Sequence, residues 1–269
     1  RRAIAEGSVT MPRLAANLTM MFTEVPFLDR FEAAADNGFK AVEFLFPYEH
    51  RPEEIAERIQ RLRLEVALFN MPPGDWAAGE RGMAAIPGRE AEFARNAGIA
   101  LAYARALGVK RVHAMSGITR GLDADECRNT FIANMRTACD MFAPDGITIL
   151  VEALNTRDVP GYFVARQEEA ANLCAAVERP NIAVQFDLYH AQIMDGDLTR
   201  LAERLNGRFA HVQIASVPER HEPDTGEVDY GHMLGVLDRL GYEGFVGCEY
   251  NPRNGTVAGL GWTRPWLGG

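Results

Sequence analysis

Asn17-Leu18-Thr19-Met20-Met21-Phe22 closes the first apolar run of the chain, Leu14–Leu18, and enters the loop behind it without a glycine. A doubly wound open sheet usually carries a Gly-rich phosphate turn at that point, so this stretch turns the reading towards a closed barrel. Seven further apolar or β-branched runs follow: Ala41–Phe46, Glu65–Asn70, Arg111–Met115, Thr148–Ala153, Ile182–Asp187, Ala210–Ala215 and Phe245–Tyr250. Helical patterns lie between them. Phe131, Met135, Ala138 and Phe142 recur at helical spacing and share one face. Asp123 followed by Glu126 resembles a capping box at the start of that helix. Gly38, Gly108, Gly146 and Gly241 stand just ahead of strands, where a helix turns back. Eight such units of roughly 32 residues each have the size of a (β/α)8 barrel. The fold class is therefore α/β, a single TIM barrel over residues 11–269, with residues 1–10 a leader or disordered arm. That arm has no apolar core of the kind a secretory signal needs.

The chain has 269 residues, 28 Lys and Arg against 37 Asp and Glu, and a net charge of −9. With 47% hydrophobic and 24% charged residues it has the balance of an ordinary soluble globular protein. No run approaches the roughly 18 unbroken apolar residues of a membrane span, and the acid excess argues against non-specific nucleic-acid binding. Cys127, Cys139, Cys174 and Cys248 are scattered, without a CxxC pair, as in a reduced cytoplasmic protein.

Three extended loops follow expected strands and so fall on the C-terminal face, where barrel active sites sit. They are Asn70–Gly88, Asn155–Ala165 and Ser216–Asp229. The first holds Pro72, Pro73, Gly74, Gly79, Gly82, Pro87 and Gly88, and its Trp76 is a candidate to cap a ligand or to pack the loop down.

The chemistry lies in polar groups set in apolar strands. Glu152 stands in Ile149-Leu150-Val151-Glu152-Ala153, Asp187 ends Ala183-Val184-Gln185-Phe186-Asp187, Gln213 lies in His211-Val212-Gln213-Ile214, and Glu249 ends Val246-Gly247-Cys248-Glu249. A charge cannot face the surrounding helices unpaired, so these groups are paired with Arg or Lys, bound to metal, or open to a wet cavity. They are spaced 35, 26 and 36 residues apart, about one strand–helix unit each. Three carboxylates and an amide at one barrel mouth favour a cation between them. An all-oxygen set suits Mg²⁺, or Mn²⁺, better than Zn²⁺. His190, three residues beyond Asp187, and His113, at the end of the fourth strand, are candidate substrate contacts; His211 points the same way as Gln213 but deeper. Arg220 is the candidate cation for a substrate carboxylate, because its planar fork binds both oxygens. Glu43 is expected to support the ligands from behind.

These residues carry a resemblance. Asn17–Phe22, Val42-Glu43-Phe44-Leu45-Phe46-Pro47, Val151-Glu152-Ala153-Leu154-Asn155, Phe186-Asp187-Leu188-Tyr189-His190, His211–Ala215 and Cys248-Glu249-Tyr250 are similar, in order, to the hydroxypyruvate isomerase family of xylose-isomerase-like barrels. The resemblance implies a divalent metal held by Glu152, Asp187, Gln213 and Glu249, with Glu152 and Glu249 as the acid/base pair. It also implies a homo-oligomer, dimer or tetramer. Related ketose epimerases carry a histidine where Gln213 stands, which points away from them. The expected activity is the metal-dependent interconversion of hydroxypyruvate and tartronate semialdehyde through an enediolate. The alternative is a 2-oxo-tetronate isomerase acting on a four-carbon acid. Less favoured are a sugar epimerase or dehydratase, a non-catalytic sugar-acid binder, and an endonuclease IV-type nuclease. The last would need a zinc cluster and a basic groove.

Overall fold

The computed structural model describes residues 12–267; the expected leader, residues 1–10, lies outside them. Eight parallel strands close in sequence order into one barrel. They are β1 Arg13–Asn17, β2 Ala41–Phe44, β3 Glu65–Asn70, β4 Arg111–His113, β5 Thr148–Glu152, β6 Ile182–Asp187, β7 Phe209–Ile214 and β8 Phe245–Cys248. Closure is made by β8 on β1, with Leu14 opposite Val246. All eight expected strands are present, within one or two residues of the expected ends.

The β4 end shows why strands stop early. Beyond His113 the backbone leaves the barrel and pairs with the loop after β3: Gly82 bridges Ser116, and Ala85 N–H donates to Ser116 O at 2.7 Å. Gly82 is required there, since its φ is +93° and a Cβ would overlap the Met115 carbonyl. The long loop Asn70–Gly88 is therefore seated on the barrel rim.

Around the barrel run α1 Arg30–Asp36, α2 Pro52–Leu62, α3 Glu90–Leu107, α4 Ala124–Phe142, α5 Gln167–Val177, α6 Leu188–Met194, α7 Leu198–Leu205 and α8 Tyr230–Arg239. In α4, Phe131, Met135, Ala138 and Phe142 are all buried, and the Asp123 carboxylate accepts the Glu126 N–H at 2.9 Å. The face that periodicity marks is thus the face that packs. One connection departs from a single helix: β6 and β7 are joined by both α6 and α7. Among the described residues, no helix is long and apolar enough to cross a membrane.

Candidate active site

Each functional side chain is placed by the C-terminal end of a strand. Glu152 is the last residue of β5, Asp187 the last of β6, Gln213 the last but one of β7, and Glu249 follows β8 directly. Glu152 pairs in register with Gln185, two residues before Asp187; Asp187 pairs with Gln213; Gln213 pairs with Gly247, two residues before Glu249. These offsets are close to the stagger of about one residue per strand that an eight-stranded barrel of shear eight demands. Strand tilt therefore lifts the four groups to nearly one height.

At that height Glu152, Asp187 and His190 offer ligand atoms within 4.8 Å of one another. His190 Nε2 lies 3.5 Å from Asp187 Oδ2 and 3.9 Å from Glu152 Oε1. The other ring nitrogen, Nδ1, accepts the Asn155 backbone N–H at 3.1 Å. That bond fixes the tautomer: in the neutral ring Nε2 carries the proton, so it faces the acids as a donor. Asp187 also caps α6, accepting the Tyr189 N–H at 2.8 Å.

Arg220, expected to meet a substrate carboxylate, meets two protein carboxylates. Nη2 donates to Glu249 Oε2 at 2.5 Å and to Asp187 Oδ2 at 3.5 Å, and the guanidinium lies 4.7 Å over the Tyr189 ring. Its backbone sits in the left-handed region, φ +55°, held by its own N–H to Ser216 O and by the Asn251 N–H to its carbonyl, both at 2.8 Å.

A second polar network adjoins this cluster. Glu43, fully buried, accepts from Asn17 Nδ2 at 2.9 Å and Gln213 Nε2 at 2.7 Å, with His211 Nε2 2.6 Å from its other oxygen. Gln213 Oε1 accepts from Gln185 Nε2 at 2.6 Å. Asn17 Nδ2 also reaches Glu249 Oε1 at 3.4 Å, which joins the two networks.

The electrostatics follow from burial. Glu152 is raised well above the ordinary carboxylate range by burial first, then by Glu249 and Asp187. Asp187 is raised by burial, against the pull of Arg220, and Glu249 is pushed up to about 8 by burial despite the same arginine. Burial, with Arg220 nearby, holds His190 well below its usual value, so the ring is neutral. Burial and His211 take His113 down to about 3.

A cavity of about 180 Å³ opens on this cluster. That is below the roughly 300–1,000 Å³ of drug-sized sites and suits a metabolite of a few carbons. Glu152, His190, Arg220, Glu249 and Trp76 line it. Trp76, 41% exposed, packs on Phe46 at 5.1 Å and borders the cavity. Three expected residues are not among those lining it. His113 is fully buried beneath the cavity, Nδ1 3.5 Å from Glu152 Oε2 and neither ring nitrogen hydrogen-bonded. Asp187 and Gln213 meet protein partners instead, Arg220 and Glu43 respectively. Sequence reasoning missed Arg81 and Asn70, which also line the cavity; the proline- and glycine-rich loop was the only signal.

The donor set fits a divalent cation. Glu152 Oε1 is buried without a hydrogen-bond partner, an expensive position for a carboxylate oxygen unless something cationic meets it. With His190 protonated on Nε2, the remaining donors are oxygens, the set hard cations take.

Residues 31–266 match the family described as xylose isomerase-like TIM barrel. A 2-oxo-tetronate isomerase from Cupriavidus necator is 53% identical over 259 residues, covering 96% of this chain and 100% of that protein. A hydroxypyruvate isomerase from Escherichia coli is 43% identical over 257 residues, covering 95% and 100%. A crystal structure described as AP endonuclease, family 2, from Brucella melitensis superposes with a TM-score of 0.95 at 62% identity, covering 95% of this chain and 99% of that one.

Proposed function

The chain belongs to the xylose isomerase-like TIM barrel family, and from that premise we propose that it is an isomerase of small 2-oxo acids, with a four-carbon 2-oxo-tetronate the first substrate and hydroxypyruvate the second. The observation that carries the activity is the pair of buried glutamates, Glu152 and Glu249, facing one small cavity. The order of substrates follows identity: 53% to the 2-oxo-tetronate isomerase against 43% to the hydroxypyruvate isomerase. It reverses the preference that the motifs alone suggest.

Both substrates undergo the same change. The C–H bond beside the carbonyl breaks, its electron pair becomes the C=C bond of an enediolate, and the carbonyl oxygen takes the charge. A proton then returns to the former carbonyl carbon, while the hydroxyl proton passes from the neighbouring oxygen, which becomes the new carbonyl, to the former carbonyl oxygen, which becomes the new hydroxyl. Of the two glutamates, one removes the carbon-bound proton and the same or the opposite one delivers it. Burial raises both carboxyls in the metal-free cluster, Glu249 to about 8. A bound cation would draw them back down, so the ionised carboxylate serves as the base and the same group, once it holds the substrate proton, as the acid. His190, with its proton on Nε2, donates to an oxygen of the enediolate. Arg220 keeps Glu249 and Asp187 in place and offsets their charge. Glu152, Asp187, Gln213 and Glu249 are the side chains that would hold a divalent cation, Mg²⁺ or Mn²⁺, which when bound supplies Lewis-acid polarisation of adjacent substrate oxygens.

A nuclease reading would follow the description of the Brucella structure. Against it stand a cavity of about 180 Å³, a net charge of −9, and a single three-residue metal-capable cluster among the described residues. The test is parallel turnover of a 2-oxo-tetronate and hydroxypyruvate with Mg²⁺. Faster isomerisation of the four-carbon acid is expected. No isomerisation of either, before and after metal loading, overturns the reading.

A further inference from the structure

A 2-oxo acid brings its own carboxylate into a cavity already lined by acids of the same sign. It therefore needs a cation that is not already neutralised. Two arginines line the cavity, Arg220 and Arg81. The first is engaged by Glu249 and Asp187, so a substrate acid would compete with two buried protein carboxylates for one guanidinium.

Arg81 is placed differently. Its Cζ lies 3.7 Å from the centroid of the Trp76 ring. Nη1 donates to the Glu80 carbonyl at 2.7 Å and to the Trp76 carbonyl at 3.2 Å. Among the described residues, no carboxylate lies within ion-pair distance of it, and Nε and Nη2 donate to no protein acceptor. The side chain is thus fixed by an aromatic face and two carbonyls, with one edge of its fork unused. That edge is the one a carboxylate takes with two parallel hydrogen bonds. The mount is rigid as well: the next residue, Gly82, bridges Ser116 beyond β4 and donates to Pro73 O at 2.8 Å.

We propose that Arg81 anchors the carboxylate of the substrate, leaving Arg220 to hold Glu249 and Asp187. This rests on the 2-oxo acid reading above. It divides the work of the two arginines: Arg81 selects for an acid end, and Arg220 serves the reacting carbons. The Trp76 stack then has a purpose, since it pays the entropy of holding a long side chain over the cavity before substrate arrives.

The experiment compares a carboxylate with its uncharged counterpart. Erythronate, the four-carbon acid with its carbonyl reduced, cannot isomerise; erythronamide replaces its carboxylate by an amide. Calorimetric binding of both to the Mg²⁺-loaded wild type and to Arg81→Gln is expected to show a wild-type preference for the acid of about tenfold or more, lost in the variant, as for removal of a charge-assisted pair. Arg81→Lys, which keeps the charge without the fork, is expected to retain part of it. In turnover, Arg81→Gln should raise KM for the 2-oxo acid more than it lowers kcat. An undiminished preference in Arg81→Gln overturns the assignment, as does a wild type that does not discriminate. If the wild type prefers erythronate but isomerises no 2-oxo acid, Arg81 still stands as a carboxylate anchor and the isomerase reading falls instead.

Discussion

Gln213 Nε2 donates to Glu43 Oε1 at 2.7 Å, so a carboxylate buried on β2 decides which way an amide on β7 faces. The opposite orientation would set the Gln213 oxygen against the Glu43 oxygen and its nitrogen against Gln185 Nε2, which here donates to Gln213 Oε1. Glu43 also receives Asn17, which reaches Glu249. One carboxylate thus orients one proposed metal ligand and supports a second.

Glu43→Gln tests this. A neutral amide offers an NH₂ group where three donors converge, so at least one buried donor loses its partner, at a cost of about 1–3 kcal/mol. Chelator competition on the folded variant should show Mg²⁺ or Mn²⁺ affinity down by about tenfold, with the loss in unfolding free energy read by denaturant titration. Undiminished metal affinity in a destabilised variant would reduce Glu43 to a packing role.

Glu152→Gln and Glu249→Gln keep side-chain volume and remove the ability to carry a proton. Each is expected to lower kcat by about 10²–10⁴-fold while the circular dichroism spectrum and melting temperature stay close to wild type. Full turnover in either variant would sink the acid/base assignment for that residue.

The barrel and its acids were legible because both obey strong local rules. Strand periodicity and unit length decide the fold, and a glutamate such as Glu152 inside an apolar strand has nowhere to go but the barrel axis. The partners of those acids were not legible. Arg220 reads as a loop cation free for substrate, and only the closed barrel brings Asp187 and Glu249 onto it. His113 sits at a strand end like the ligands, yet it is fully buried against Glu152 and does not line the cavity. Arg81 looks like any solvated loop arginine until that loop is seated on the rim.

Metal binding should release protons. Burial and mutual repulsion raise Glu152, Asp187 and Glu249, so the metal-free cluster holds protons that a cation must displace. Affinity therefore rises with pH. Stability of the chelated protein runs the other way: the folded state binds more protons than the unfolded one between the ordinary 4.5 and the about 8 of Glu249, so unfolding free energy falls as pH rises through that window. Saturating metal is expected to flatten the slope. Isothermal titration in buffers of different ionisation enthalpy counts the protons; a count of zero at pH 6 would show that the acids are already ionised.

Gly247→Ala probes the same network from the strand that carries Glu249. Gly247 does not need a left-handed backbone; what it provides is space, since a Cβ there would overlap the Glu43 carboxylate. A glycine inside a strand often marks such a close approach. The substitution forces Glu43 off Gln213 or pushes β8 outward, and either is expected to cost about 1–3 kcal/mol, the usual range for overpacking. The cause can be isolated in a double-mutant cycle with Glu43→Ala, which empties the contested space. If the clash is the reason, Gly247→Ala should cost clearly less in the Glu43→Ala background, a coupling of more than about 0.5 kcal/mol. Strict additivity would mean that the glycine serves the backbone of β8 and not the carboxylate opposite it.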